Sequence, residues 1–238
     1  MEDYKLKATN PQQYDSEELD WRKGGNINTT SRIFFRDNLR RYLEDLKGKD
    51  VLDIGSGVGH LFPMLLELGA SRIEGLEPSK RNVEHSSGLY PSITIHQGTL
   101  RNFVTDKPFD VAICIMAFEH ILDIKEAFSD VAKLIKSNGS FYLIFGDKDF
   151  HIFNNPPKTE VDIQEIENGI VATKTIRHRD GDESTMYDLF RPVEFFISNA
   201  KDAGFDMVKN IPLMVEQGSR WDFWANKPIC HLLVLKRS

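Results

Sequence analysis

The segment Val51-Leu52-Asp53-Ile54-Gly55-Ser56-Gly57-Val58-Gly59-His60 sets one acid and three glycines between an apolar, strand-like run and a helix-like one. Glycines in such a place let the chain turn tightly and let a ligand lie on bare main-chain N–H groups at a helix start. The chemistry on offer is ligand capture by backbone, and the spacing narrows which ligand. A dinucleotide loop needs glycine where this chain has His60, because the glycines here fall at 55, 57 and 59. A phosphate-cradling loop needs Ser or Thr after Gly-Lys, whereas Gly48-Lys49 is followed by Asp50. Asp53, two residues ahead of the loop, repels a pyrophosphate and favours a ligand that carries positive charge.

The segment resembles the first motif of class I S-adenosylmethionine-dependent methyltransferases, which reads hydrophobic-hydrophobic-Asp-hydrophobic-Gly-Ser/Cys-Gly-x-Gly. The resemblance implies that Asp53, Gly55, Ser56, Gly57 and Gly59 surround S-adenosylmethionine, whose sulfonium and amino group suit Asp53. The second landmark of that family is an acid at the end of the next strand that accepts the ribose hydroxyls. It falls on Glu77, followed by Pro78 and Ser79 and standing 22 residues past Gly55. Gln97-Gly98-Thr99-Leu100 looks like the adenine-flanking turn, with Thr99 where many members carry an acid. Phe109 to Ile115, then Met116-Ala117-Phe118-Glu119-His120-Ile121, is similar to the fourth strand and following turn of members that methylate quinones and other small molecules. That adds Met116, Ala117 and His120 to the cofactor set, since ligands on open α/β sheets gather at the carboxyl ends of strands. Asn138-Gly139-Ser140 resembles the turn into the fifth strand, and Phe190-Arg191-Pro192 through Ala203-Gly204-Phe205 the segment before the sixth. The matches cover about residues 48–147 and 187–210.

The acceptor is read from what is missing as well as what is present. Base-amino methylases of the family carry Asn/Asp-Pro-Pro-Tyr/Phe after the fourth strand, where this chain reads Ile115-Met116-Ala117-Phe118; Asn155-Pro156-Pro157 lies in another segment and precedes Lys158. A formal net charge of -6 also argues against a nucleic-acid partner, whose affinity comes from phosphate neutralisation by Lys and Arg. In the strand-like run Lys174-Thr175-Ile176-Arg177-His178-Arg179, Lys174, Ile176 and His178 share one face and Arg177 and Arg179 the other. One of the two faces meets an anionic acceptor on this reading, with His178 the candidate catalytic group on the first and Arg177 a candidate acceptor contact on the second; the other reading is a solvated hairpin edge. Tyr14 and Trp21 form either a lid over the cofactor or a staple for the first helix. Phe118 and Arg191 are further acceptor candidates, and Trp221, Phe223 and Trp224 serve as core cover or acceptor wall. Asp147, Asp149 and His151 read as a solvated loop rather than a metal site, and no metal is expected.

These residues need a scaffold, and the alternation of patterns supplies one. A helix is expected from Asn28 to Leu46, then strands at Asp50–Ile54, Arg72–Leu76, Ser92–His96, Phe109–Ile115 and Ser140–Phe145, with helices at Leu61–Leu68, Ser79–Ser86 and Ile124–Ile135. Strands alternating with helices of these lengths mean an open, mostly parallel twisted α/β sheet with helices on both faces. The rhythm breaks over 146–188, which holds a strand-like run Ile170–His178 and a turn at Arg179-Asp180-Gly181-Asp182. A helix Pro192–Ala203 and strands Met207–Met214 and Ile229–Leu235 close the chain. The expected organisation is an N-terminal helical cap over 1–47 and a core over 48–238, with 148–188 an insertion that binds the acceptor. The longest apolar run, Val111 to Phe118, is too short to span a membrane, and the polar start has no secretory pattern, so the expected location is the cytoplasm. The two cysteines, Cys114 and Cys230, fall in strand-like runs and are expected buried and reduced. The combined reading is methyl transfer from S-adenosylmethionine to oxygen, hydroxyl or carboxylate, of a small molecule or peptide. N- or C-methylation of a metabolite, or a non-catalytic cofactor-binding scaffold, stays open.

Overall fold

The computed structural model describes residues 30–153, 159–177, 183–215 and 224–238. Tyr14, Trp21, Asn155 to Lys158, His178 to Asp182, Trp221 and Phe223 lie outside them. Near-continuous apolar runs become buried parallel strands, as expected where both faces of a sheet are covered. They are β1 (Asp50–Ile54), β2 (Arg72–Glu77), β3 (Thr94–Gln97), β4 (Phe109–Ile115) and β5 (Ile135–Gly146). Helices α1 (Thr30–Tyr42), α2 (Phe62–Glu67), α3 (Lys80–Leu89) and α4 (Ile124–Leu134) precede or connect them. After α5 (Lys148–Phe153) come β6 (Thr159–Ile166), β7 (Gly169–Arg177) and β8 (Glu183–Phe190), then α6 (Val193–Asp202), β9 (Phe205–Met214) and β10 (Pro228–Arg237).

The main sheet has seven strands in the order β3-β2-β1-β4-β5-β10-β9. All its pairings are parallel except those of β10, which runs antiparallel to both neighbours. The order reverses direction between β1 and β4, which opens a crevice beyond their carboxyl ends. Period-two alternation sends Val51, Val111 and Ile113 to one core and Leu52, Ala112 and Cys114 to the other. The first core is covered by α1 through Leu39 and by α2 through Phe62 and Leu65. The second is covered by α4, whose Ile124, Ala127, Phe128, Val131 and Leu134 form one apolar stripe, and by Phe196 and Ala200 of α6. Asp123 caps α4 by accepting from the Glu126 N–H at 2.9 Å.

Three differences from the sequence expectation have physical causes. β5 starts at Ile135 rather than Ser140, because the chain passes from α4 straight into the strand and bends at Asn138, whose φ is 60°. Gly139 allows that bend: a Cβ there would lie 2.9 Å from the Asp110 carbonyl oxygen. Second, Asp147 to His151 is no solvated loop. Asp147 accepts from the Asp149 and Phe150 N–H groups at the head of α5, and the Phe150 ring is buried. Third, the insertion is a complete second sheet, β6-β7-β8, antiparallel throughout. β6 escapes a periodicity reading because Val161 and Ile163 alternate with acids and because it pairs on one side only, leaving Ile163 exposed. Among the described residues no helix is long and apolar enough to cross a membrane.

Candidate active site

At the end of β1 the chain turns through Gly55, Ser56 and Gly57 into α2. The Gly55 and Ser56 N–H groups both donate to the Leu76 carbonyl, at 2.7 and 3.2 Å, so the turn is tied to the end of β2. Gly55 has φ 70°, and a Cβ on it would meet the Cβ of Ala117 at 2.6 Å. Only a bare backbone lets the turns after β1 and β4 touch. Gly57, with φ 55°, is the opposite case, since a Cβ on it would meet nothing within 4 Å. Its backbone borders open space, as a ligand-facing main chain must. Gly59, also left-handed at φ 77°, closes the turn onto the Phe62 ring.

Two buried carboxyl groups flank this turn. Glu77 accepts from the Gly57 N–H at 2.8 Å through Oε2, and from the Ser79 N–H at 3.0 Å and Asn82 Nδ2 at 3.3 Å through Oε1. Ser79 in turn caps α3 by accepting from the Asn82 N–H at 3.2 Å. Ser79 therefore enters the site by steering Glu77, with Pro78 half-buried between them. Asp53 is 2% exposed, and its Oδ2 has no hydrogen-bond partner among the described residues. Burial, and then the negative charge of Glu77, push its carboxyl up to about 8. Ser56 Oγ is likewise buried, with no partner among the described residues. Orphaned buried polar atoms are rare in folded proteins, and a group that binds beside them is one way to satisfy them. Two acids beside bare backbone fit a cationic cofactor with ribose hydroxyls, so the residues present suit S-adenosylmethionine.

The remaining cofactor candidates follow the carboxyl ends of β3 and β4. Gly98 donates to the Glu77 carbonyl at 3.0 Å, which brings Thr99, exposed, and Leu100, buried, beyond the end of β3. Met116, directly after β4, has φ 54°, an uncommon conformation for a residue with a side chain. Its N–H donates to the Ile144 carbonyl at 2.8 Å, and its sulfur lies 3.9 Å from Cys230 Sγ. Ala117 abuts Gly55, as noted above.

The acceptor candidates divide. Phe118 is fully buried, packing its ring against Phe128 at 5.3 Å and Phe141 at 5.8 Å, so it is a core residue and not an acceptor contact. The reason is that Phe118 opens a single turn of 3-10 helix, Phe118–His120, which rolls its ring under β4. Arg191 is buried and donates to the Leu122 carbonyl at 2.9 Å, which pins the end of β8 to the loop beyond that turn. Arg177 ends β7 opposite Glu183. Trp224 is core cover, with Nε1 donating to the Pro228 carbonyl at 3.0 Å.

His120 sits where the core meets the insertion. Its Nδ1 is 4.0 Å from Asp188 Oδ1 of β8, and burial pulls its imidazole below the usual range. Asp188 Oδ2 is 2.9 Å from Lys174 Nζ of β7, both side chains nearly buried. The pair is diagonal across the strands, since Lys174 faces Met186 and Ala172 faces Asp188. Lys174 thus turns inward to an acid instead of outward to an anion. Beside His120, Glu119 accepts from the Gly146 N–H through Oε1, while its Oε2 has no partner among the described residues. Burial lifts the Glu119 carboxyl to about 7 against the pull of the Gly146 hydrogen bond; Asp188 adds to the rise and Arg191 opposes it. His151, half-buried and stacked on Phe190, is pushed down to about 4 by burial and then by Lys174. Glu119, Asp188 and the inward Lys174 are the groups that sequence reasoning missed. Glu119 and His120 adjoin in the sequence, but nothing in it pairs them with Asp188. No group of three His, Cys, Asp or Glu among the described residues converges as metal ligands.

A family profile described as a methyltransferase domain matches residues 29–210. Among curated proteins, the chain is 30% identical over 120 residues to a mitochondrial ubiquinone biosynthesis O-methyltransferase of Dictyostelium discoideum, covering 44% of this chain and 37% of that protein. It is 28% identical over 131 residues to the ubiquinone biosynthesis O-methyltransferase of Rickettsia prowazekii, covering 50% and 51%. The chain thus spans about half or less of those relatives' lengths. Among solved structures, an S-adenosylmethionine-dependent methyltransferase from Mesorhizobium loti superposes with a TM-score of 0.65 at 16% identity, covering 89% of this chain and 100% of that one. An amino pentose methyltransferase from Micromonospora echinaspora with S-adenosylmethionine bound does so with a TM-score of 0.61 at 17% identity, covering 93% and 96%. At such identities these likenesses concern the fold.

Proposed function

The chain belongs to the methyltransferase-domain family, and from that premise we propose that it moves the methyl group of S-adenosylmethionine onto a hydroxyl oxygen of a small acceptor. The observation that carries the reading is the pair of buried acids, Asp53 and Glu77, set beside bare backbone at Gly57, with one Asp53 oxygen lacking any partner among the described residues. When bound, the cofactor supplies a methyl group on a sulfonium, a strongly activated electrophile. Everything else falls to the chain. Asp53 holds positive charge, Glu77 accepts the ribose hydroxyls while fixing the glycine turn, Thr99 and Leu100 flank the adenine, and Met116 and Ala117 form the floor.

Oxygen is favoured as the acceptor atom by two things. The relatives carry the name of O-methyltransferases, and His120 and Glu119 stand at the carboxyl end of β4, where an acceptor would meet the methyl group. On this reading His120 takes the hydroxyl proton, which raises the oxygen's nucleophilicity as the bond forms. Alignment and exclusion of water in the crevice supply much of the remaining acceleration. On this reading the described part of the insertion, β6, β7 and β8, supplies the acceptor wall, and a peptide hydroxyl fits the same chemistry. The free, buried Cys114 and Cys230 accord with a reducing compartment such as the cytoplasm.

Calorimetry with S-adenosylmethionine, followed by a screen of phenols, carboxylic acids and amines for S-adenosylhomocysteine release, tests the proposal. Micromolar cofactor binding and turnover with hydroxyl acceptors are expected. No binding, or turnover with amines alone, overturns it.

A further inference from the structure

Cys230 Sγ lies 3.9 Å from Met116 Sδ and 3.9 Å from His151 Nε2. A thiol carries one proton and cannot donate to both at once. The same separations suit a shared ion. A sulfur about 2.3 Å from a metal, at trigonal angles to a second sulfur or to a nitrogen at about 2.0 Å, stands about 3.7–4.0 Å from that partner. The main sheet builds this meeting from neighbouring strand ends. Met116 follows β4, whose Ile115 pairs with Ile144 of β5, and Cys230 of β10 stands opposite Gly146 of β5. Gly146 lets the imidazole close on the strand, since a Cβ there would lie 2.8 Å from His151 Nε2. Phe190 stacks on the same ring and Phe150 meets it edge-on, which fixes its plane. The Ile229 backbone also bonds the imidazole, the kind of outer contact that orients a ligating ring. Burial keeps that ring neutral, as a ligand must be.

We propose that Cys230, Met116 and His151 form a site for a soft monovalent cation of the Cu(I) class, and that its occupation competes with the cofactor. The donor set names the ion, because thiolate and thioether sulfur with an imidazole nitrogen select Cu(I) over the hard cations that oxygen ligands hold. Charge argues the same way. Cys230 is 1% exposed, so a net charge left on it would be costly. As the thiol gives its proton to the buffer, its sulfur pair binds the ion, so that Cu(I) replaces H+ and the net charge of the site does not change. Burial and then the negative charge of Glu119 keep the thiol protonated, and the same acid favours a cation on its sulfur. Met116 and His151 are half-buried, which gives an ion an approach past them to the buried sulfur. The competition rests on the cofactor reading above, in which Met116 forms part of the floor. A thioether committed to the ion no longer serves S-adenosylmethionine.

The test uses the full chain, reduced, desalted and kept anaerobic. Titration with Cu(I) buffered by bicinchoninate should show a single ion per chain, abolished in Cys230→Ala and weakened about tenfold or more in Met116→Leu and in His151→Phe. Cys114→Ala, which removes the chain's other cysteine, should bind the ion as the wild type does. X-ray absorption of the wild-type complex needs no variant to fold, and should show sulfur at about 2.3 Å and nitrogen at about 2.0 Å from copper. With the ion in place, calorimetry should show S-adenosylmethionine binding weakened about tenfold or more, and excess bicinchoninate should restore it. No stoichiometric uptake, uptake that survives Cys230→Ala, or an absorption spectrum without nitrogen overturns the site. An unchanged cofactor affinity in the copper complex overturns the competition. If the wild type binds no cofactor, the function reading fails, whereas the titration and the absorption spectrum still decide the site.

Discussion

The Glu77 carboxylate accepts a hydrogen bond from the Gly57 N–H at 2.8 Å, so the acid expected to hold the ribose also holds the turn that faces the rest of the cofactor. One side chain at the end of β2 thereby couples two parts of the site that lie on different strands. Removing it takes away a charge-assisted hydrogen bond as well as a ligand contact. Glu77→Ala should weaken S-adenosylmethionine binding by about 2–3 kcal/mol, at least tenfold in Kd by calorimetry. Glu77→Gln, which keeps an acceptor oxygen but loses the charge, should fall between it and the wild type.

Gly57 and Gly55 should respond differently to the same change. Gly57→Ala places a methyl group in open space at φ 55°, so denaturant melts should show a loss of only about 1–2 kcal/mol, while cofactor affinity drops far more because the methyl group enters the ligand's space. Gly55→Ala drives a Cβ to 2.6 Å from that of Ala117, and its stability loss should exceed that of Gly57→Ala. Equal melts for the two variants would contradict the geometry.

Asp53 makes the ligand-free protein and its complex respond to pH in opposite senses. Its folded pKa, about 8, lies above the unfolded value of about 4, so the folded state binds the extra proton between those limits. Stability from this group is complete below pH about 4 and is lost as pH rises through about 8. Glu119, raised to about 7, acts in the same direction. A cationic cofactor needs the ionised acid, so binding below pH 8 should release a proton and tighten as pH rises. Calorimetry in buffers of different ionisation enthalpy reads that proton, and Asp53→Asn should abolish the pH dependence along with most of the affinity.

Phe118 should behave as core. Phe118→Ala is expected to cost about 3–5 kcal/mol, seen as a lower midpoint in urea, because it opens a cavity among Phe128, Phe141 and their neighbours. The gentler Phe118→Leu should leave acceptor preference as it is. A changed acceptor preference in a stable Phe118→Leu protein would return this residue to the acceptor site.

What the residues determine by themselves is local. The order Asp53, Gly55, Gly57, Gly59 is contiguous, the alternation of strand and helix patterns dictates a parallel sheet, and Glu77 follows at the end of the next strand. Each depends on neighbours in the chain, so the cofactor crevice was legible. What folding alone decided is which face a side chain turns to and which distant strand it meets. A single 3-10 turn sends Phe118 inward, although its place after β4 suggested the acceptor. A hairpin register brings Asp188 diagonally across from Lys174, and the docking of that hairpin on the turn after β4 brings Asp188 to His120. No periodicity encodes such meetings, because they depend on long-range packing of two sheets whose charges sit far apart in the chain.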